Sequence, residues 1–544
     1  MLSNSIPILE QAVFTPRKLR VVCIGAGFSG LLLAYKWKHE SNQDIMDLQI
    51  YEKNTDVGGT WLENTYPGVA CDVPAHIYTF PFEPNPDWSS FYANGSEIWQ
   101  YIKRTAEKYA LHEPIQFNSK VISAVWDEDS SQWKIRVDQQ GKIFETTADI
   151  LINGSGILNQ WRWPDIPGLH EFRGQLVHSA DWKDDLDCTK KRIAIIGNGS
   201  SAIQILPQLQ PQAAQIVTYI RSPTWITTNF AADFTPEGKN FEYSDEQKAR
   251  FRENPEELFQ LRKKIEHGMN QFFHVLLADS PQQAGARELF QSEMEAKLKN
   301  NPTLCKLLIP KFEVGCRRLT PGEGYLEALQ ESNVKIRFDP IDKVEETGII
   351  SHAGDLDLFD IIICATGFDV SFRPSWKMIG RDGVNLAEQW KEVPEAYFGI
   401  CAPNMPNYFI FNGPNCPIAH GSLLSAMDAT ADYIMRWCRK ISTEDIASIA
   451  VDADATADYN VYSTEFHNAK TVWTGACSSW FKHPTGKVTA MYAGNVLHYR
   501  EILDRFRTED FHVKYRSPNR FKFMGNGFTL RDEKGDDLAY YLTK

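Results

Sequence analysis

Apolar residues run unbroken from Val21 to Ile24, stop at Gly25, and give way to helix-compatible sequence after Gly27 and Gly30, so LRVVCIGAGFSGLLLAYKW predicts a strand, a tight turn and a helix. A second strand, LQIYEKN, ends in Glu52, 22 residues beyond Gly30. The same unit returns in KRIAIIGNGSSAIQILPQL, with Gly197, Gly199 and Ala202, and there the following strand, IVTYIRS, ends in Arg221. Two shorter apolar runs close these units: ADILINGSGIL near Gly154 and Gly156, and LDLFDIIICATGFD at Ala365, Thr366 and Gly367. Between Thr227 and Pro310 the pattern changes to charged, helix-favouring sequence. There Ser244 with Gln247 forms a capping-box signature, and Asn254, Pro255 and Glu257 supply a cap, a first-turn proline and a reciprocal carboxylate. Phe251, Leu258 and Leu261 are expected to face a packed neighbour. The fold class is α/β: two Rossmann-like dinucleotide-binding domains, one inserted in the other, plus a helical insertion.

The chemistry of the turns follows from their glycines. Three glycines at that spacing permit the turn, let the backbone approach a pyrophosphate, and pack helix on strand, while the helix N-terminus faces the phosphate charge. Glu52 is placed to accept hydrogen bonds from a ribose. In the second unit an acid would repel a 2′-phosphate, whereas the guanidinium of Arg221 binds it by charge and by a planar fork of donors, so this site is expected to take NADPH. A solvated strand-end arginine is the alternative.

Composition narrows the partners. Over 544 residues the formal charge is −13 and no run of five or six basic residues occurs, which argues against nucleic acid or an anionic membrane as the main partner. Ten cysteines are scattered without a CxxC pair, so a reducing compartment is expected, with no dithiol redox centre and no metal site; each cysteine reads as a small buried apolar residue. No stretch approaches ~18 consecutive apolar residues, and neither MLSNSIPILEQ nor the terminal YLTK carries a targeting pattern, so a cytoplasmic protein is expected.

Two longer motifs carry more information. VGGTWLENTYPGVACDVPAHIY holds Gly58, Gly59, Thr60, Trp61, Tyr66, Pro67, Gly68, Asp72 and Tyr78 close behind Glu52, and FRGQLVHSADW holds Phe172, Gly174, His178 and Trp182 just before the second glycine turn. The latter reads neither as strand nor as helix. Together with the two glycine turns they resemble the type I Baeyer–Villiger monooxygenases, in their fungal-like form, whose signatures are GxW…[FY]PG…D and FxGxxxHxxxW. The residue after Trp182 is Lys183, where that family has Pro or Asp.

The resemblance implies FAD in the first fold, NADPH in the second, and the NADPH domain inserted in the FAD domain. It divides the chain into an FAD-binding part at 1–165 and 386–544, an NADPH-binding part at 166–226 and 311–385, and the insertion at 227–310. It implies that NADPH reduces the flavin, dioxygen adds to it, and a peroxyflavin converts a ketone to an ester or lactone. Arg318, in VGCRRLTPGEGYLEAL, matches the catalytic arginine, Asp72 the carboxylate that orients it, and Arg317 the basic neighbour that helps hold the 2′-phosphate. Gly59, Thr60, Trp61 and Tyr78 match flavin-side positions, Ser201 and Gln204 the pyrophosphate-facing start of the second helix, and Trp480 a tryptophan that closes over nicotinamide and substrate. A Gly-Pro turn leads to a helix starting near Gly421 or Ser422, whose N-terminal dipole either faces the pyrimidine side of the flavin or is an ordinary helix start. His178 is expected to act as a hinge and interdomain element, with Gly174 supplying unusual dihedrals, and not as a proton-transfer base. The competing reading of that segment is a turn pinned by core residues. An N- or S-oxygenating flavin monooxygenase shares both glycine turns without needing the pair Arg318 and Asp72; a pyridine nucleotide–disulfide reductase is disfavoured by the missing CxxC, and a non-catalytic flavoprotein is the third alternative.

Overall fold

A computed structural model describes residues 6–40, 42–227, 231–418 and 421–542. The extreme terminal residues, on which part of the reading of the chain ends rests, lie outside that range.

Two five-stranded sheets form the frame. In the first, all neighbours are parallel and the order is Tyr408–Ile410, Ile150–Asn153, Leu19–Ile24, Met46–Tyr51, Ile115–Gln116. A parallel strand covered on both faces needs apolar side chains on both, which is why Val21–Ile24 shows no alternation. Leu19, Val21 and Cys23 join one core with the helices Phe28–His39 and Leu423–Thr443. Val22 and Ile24 join another, against a second sheet built from Ser119–Asp127, Gln132–Gln139 and Lys142–Ala148. Lys377–Ile379 adds a parallel strand to that second sheet, pairing with Ser123–Val125.

The second parallel sheet repeats the order as Gln175–His178, Ile361–Cys364, Arg192–Ile196, Gln215–Tyr219, Val334–Arg337. Ile193, Ile195, Ile361 and Ile363 pack toward the helix Ser200–Leu209, and Ala194, Ile196, Ile362 and Cys364 toward the small antiparallel sheet of residues 341–358. FRGQLVHSADW is therefore partly a strand: Gln175–His178 is the edge strand of this sheet, in register with Ile361–Cys364, and Ser179–Asp181 is a short turn of 3₁₀ helix. Four residues with mixed polarity on a sheet edge carry no periodicity that a local reading detects. Gly174 also differs from expectation. It is not among the residues with positive φ, and a Cβ there would press on the Phe172 ring and lie 2.5 Å from the Asp360 carbonyl oxygen, so close packing demands the glycine.

The insertion contains helices Asp245–Glu253, Pro255–Gln271, Pro281–Lys297 and Pro302–Leu308. The capping box of Ser244 and Gln247 is formed in both directions. Asn254 caps the next helix, whereas the Glu257 carboxylate turns to Arg250 at 2.9 Å instead of back to the cap. Phe251, Leu258 and Leu261 pack on the core of the first fold, and Phe290, Met294 and Leu298 on that of the second, so the insertion bridges both.

Among the described residues, no helix is long and apolar enough to cross a membrane, and no cluster of three His, Cys, Asp or Glu is placed to hold a metal ion. The cysteines depart from expectation in one respect. Cys316 and Cys477 form a disulfide across a separation of 161 residues, which no local spacing announces. The other eight are free, and all but Cys305 are buried. Thiol titration of the denatured, unreduced protein is expected to find eight reactive cysteines and, after reduction, ten; ten before reduction would exclude the bridge.

Candidate active site

The first glycine turn is tight by contact as well as by dihedral. Gly25 has φ +101°, and a Cβ there would lie 2.8 Å from the Gly154 carbonyl oxygen; Gly27 faces Gly59 across the turn, its virtual Cβ 3.5 Å from the Gly59 Cα. Gly27 is the N-cap of Phe28–His39 and makes no side-chain cap bond, so the first amides of that helix are open to an outside acceptor. Gly199 caps Ser200–Leu209 in the same way, and a Cβ there would meet nothing within 4 Å. Two uncapped helix ends fit two pyrophosphates.

Glu52 sits deeper than a ribose contact alone requires. It is buried, with one oxygen accepting from the Ala26 amide at 2.7 Å and the other from the Asn54 amide at 2.8 Å, so it holds the glycine turn to the second strand. Burial pushes its pKa up, while the two amides pull it down.

Behind the turn, Gly59 has φ +54° and starts the short helix Thr60–Glu63. The Trp61 indole donates to the Tyr78 hydroxyl at 3.2 Å, and the Tyr78 ring meets Phe28, the first residue of the helix after the glycine turn, edge-on at 5.4 Å. In this wall stands Asp72, and the Arg318 guanidinium donates to its Oδ2 at 2.5 Å across 246 residues of chain. Burial pushes the pKa of Arg318 down, but Asp72 more than offsets this and holds it above the ordinary value. The Arg318 side chain keeps 31% of its surface, so it is charged, oriented and still reachable.

At the second fold Arg221 and Arg317 converge. Arg317 donates to the Ser222 hydroxyl at 3.3 Å, and its pKa is lowered by burial and then by the Arg221 charge. Neither has a carboxylate partner among the described residues, so two guanidiniums share one place without a counterion, which fits a phosphate dianion. Ser201 and Gln204, at the start of the helix Ser200–Leu209, also meet the first fold. The Tyr66 hydroxyl donates to Gln204 Oε1 at 2.8 Å and also meets Ser201, and Gln204 donates to the Ala70 carbonyl at 3.0 Å. Gly68 allows this approach, because a Cβ there would lie 2.7 Å from the Gln204 carbonyl oxygen. The segment between Gly59 and Asp72 is thus the joint between the two folds.

His178 ends the edge strand beside the Ala365–Gly367 turn. Its ring stacks on Trp161 at 4.4 Å, Nδ1 accepts from the Ala180 amide at 3.1 Å, and Nε2 lies 3.3 Å from the Thr366 hydroxyl. Burial lowers its pKa to about 4, with Asp181 opposing, so the ring stays neutral across the physiological range. Phe172 is buried beside it in the sheet's core, and Trp182 packs partly exposed on the opposite core. Trp480 is partly exposed against Phe481. Its loop is tied to the arginine segment by the disulfide: Cys477 precedes Trp480 by three residues and Cys316 precedes Arg318 by two. The bridge, Trp161 and the gripping role of Tyr66 are absent from the local patterns, because each depends on a partner distant in sequence.

The chain matches proteins of known family over nearly its whole length. Residues 18–242 match the flavin-binding monooxygenase-like family. The FAD-binding monooxygenase tazF of Aspergillus terreus is 50% identical over 536 residues, 97% of this chain and 95% of that protein. A Baeyer–Villiger monooxygenase of Pseudomonas aeruginosa is 32% identical over 503 residues, 91% of this chain and 92% of that one. Among solved structures, an oxidized steroid monooxygenase bound to NADP superposes with a TM-score of 0.78 at 26% identity, covering 92% of this chain and all of the other. With two nucleotide folds in one order, an arginine–carboxylate pair between them and these relatives at full length, the chain belongs to the FAD-binding Baeyer–Villiger monooxygenases.

Proposed function

We propose that this protein uses NADPH and dioxygen to convert a ketone to an ester or lactone, with Arg318 as the fixed cation of the reaction and Asp72 as the residue that positions it. The observation that carries this reading is the Arg318–Asp72 pair, half-buried between the two nucleotide folds. FAD, when bound in the first fold, supplies the activation of dioxygen, and NADPH the hydride that makes it possible. Oxygen insertion beside a carbonyl carries negative charge on oxygen through its course. A guanidinium cannot be titrated away, and a preorganised charge in a site shielded from water stabilises that oxygen far more than solvent does. Gly25, Gly27, Gly30 and the amides after Gly27 would hold the FAD pyrophosphate, Trp61 and Tyr78 the wall beside the ring, and Arg221 with Arg317 the 2′-phosphate of NADPH. In this reading 1–165 with 386–544 form the FAD-binding part and 166–226 with 311–385 the NADPH-binding part. Trp480, anchored through Cys477, closes the substrate side.

The function is tested by incubating the purified yellow protein with NADPH, oxygen and a panel of ketones and sulfides; ester or lactone is expected, and sulfoxide alone would move the protein to the S-oxygenating branch. Arg318→Ala is expected to bind FAD and accept hydride from NADPH while ester formation falls on the order of 10²–10³, with hydrogen peroxide released instead. Ester within about threefold of the parent would mean that another group carries the charge.

Arg221→Ala and Arg317→Ala are each expected to raise the KM for NADPH roughly tenfold or more, as for a lost charge-assisted hydrogen bond, and to leave that for NADH nearly unchanged. Equal effects on both coenzymes would remove the 2′-phosphate assignment.

His178→Ala is expected to retain FAD and slow turnover, because its contacts run to Trp161 and Thr366 and not to the flavin fold's glycine turn. Loss of FAD on purification would make it a core residue instead.

A further inference from the structure

The segment that carries Arg318 is held from several sides. The Trp225 indole, in the second fold, donates to the Phe312 carbonyl at 3.0 Å. Gln283, on the insertion helix Pro281–Lys297, takes Val314 by both backbone groups, accepting from its amide at 3.2 Å and donating to its carbonyl at 2.8 Å. Val314 and Leu319 pack in the core of the second fold. Between these anchors and Arg318 stands Cys316, and its bridge leads to Cys477, in a stretch of chain that packs elsewhere.

That stretch runs from Gly475 to Asn495 without a regular helix or strand. Its far side is tied to residues 415 and 416: the Asn415 amide donates to the Thr489 carbonyl at 2.8 Å and the Tyr492 amide to the Cys416 carbonyl at 3.2 Å. Phe481 is buried in the core that includes Val22 and Ile24 of the first sheet, and Trp480 stands beside it, partly exposed. The near side meets the arginine segment. A Cβ on Gly475 would lie 2.7 Å from Glu313 Oε2 and 3.2 Å from Cys316 Sγ, so glycine there lets the loop lie directly on residues 313–316. The Lys482 ammonium donates back to the Gly475 carbonyl at 2.5 Å and closes this side of the loop on itself. The bridge thus joins the two folds covalently, two residues from Arg318 and three from Trp480.

Stability does not account for that location. A cross-link matters most to a chain that lacks a core, and this chain has a large core in each fold; its eight other cysteines stay free although seven of them are buried. What the cross-link removes is the freedom of a loop without regular structure, by closing it onto a firmly held segment. A loop that closes a reaction space excludes water and holds the reacting groups only while it stays closed.

We propose that Cys316 and Cys477 are positioning residues for oxygen transfer: their bridge fixes the Trp480 loop on the segment that carries Arg318, and thereby keeps NADPH oxidation coupled to ester formation. This rests on the ketone-oxidising reading above.

The test compares the FAD-loaded parent with Cys316→Ser, Cys477→Ser, Trp480→Ala, and Cys477→Ser combined with Trp480→Ala. Ester formed per NADPH, hydrogen peroxide, and trypsin cleavage after Lys482 and Lys487 are followed together. Both cysteine variants are expected to keep FAD and to yield roughly tenfold less ester per NADPH, each NADPH not spent on ester reducing one dioxygen to peroxide, while their loop is cut roughly tenfold faster. Trp480→Ala, which keeps the bridge, is expected to lose coupling likewise and to resist trypsin as the parent does; the combined variant is expected to be no worse coupled than either single one. Ester per NADPH within about threefold of the parent in either cysteine variant makes the bridge a staple for stability alone and overturns the proposal. Parent-like coupling in Trp480→Ala overturns it too, an arm that stands even where a cysteine variant fails to fold, and so does an additive loss in the combined variant. Failure of the reaction reading looks different: the parent forms no ester from any ketone, while trypsin still separates it from the cysteine variants.

Discussion

A guanidinium taken partly out of water is tolerated only where a carboxylate meets it, and the pairing of Arg318 with Asp72 imposes that condition on the whole molecule. Asp72 lies in the segment that leaves the first glycine-rich unit, and Arg318 in the segment that re-enters the second after the helical insertion. For the two to meet, one nucleotide fold must stand against the other in a set orientation. Tyr66, Gly68 and Ala70 hold that joint from one side, through Gln204 on the second fold. The charge is thus held in place by contacts between folds, and not by either fold alone.

The two parallel sheets share one strand order and one device at the helix start, an N-cap glycine without a side-chain cap. What separates the two cofactor sites is the end of the second strand in each. Glu52 is buried and ties the glycine turn with two amide bonds, whereas Arg221 is exposed and stands beside Arg317 with no carboxylate among the described residues to neutralise the pair. The same fold therefore presents an acid in one copy and an uncompensated positive site in the other. Electrostatics, and not topology, distinguishes the two sites.

Two parts of the chain that do not repeat are held against the two folds. The insertion packs Phe251 and Leu258 on one core and Phe290 and Met294 on the other, so it is held to both. The loop carrying Trp480 is anchored by Cys477 to the residue just before the arginine pair.

The sequence by itself determined the two nucleotide folds, because they depend on glycine spacing and apolar runs that are local in the chain, and its resemblance to a known family pointed to the pair Arg318 and Asp72. Phe251 and Leu258 were legible as buried for the same reason, since their helical spacing is set within a few residues. The edge strand Gln175–His178 was not, because its pairing with Ile361–Cys364 comes from nearly two hundred residues away. Nor was the reason for Gly174, which answers to the Phe172 ring and the Asp360 carbonyl and not to its own φ. The Cys316–Cys477 bridge and the grip of Tyr66 on Gln204 were decided only by the tertiary structure. Each is a property of two distant segments brought within hydrogen-bond or bonding distance, which exists only once the chain has closed around them.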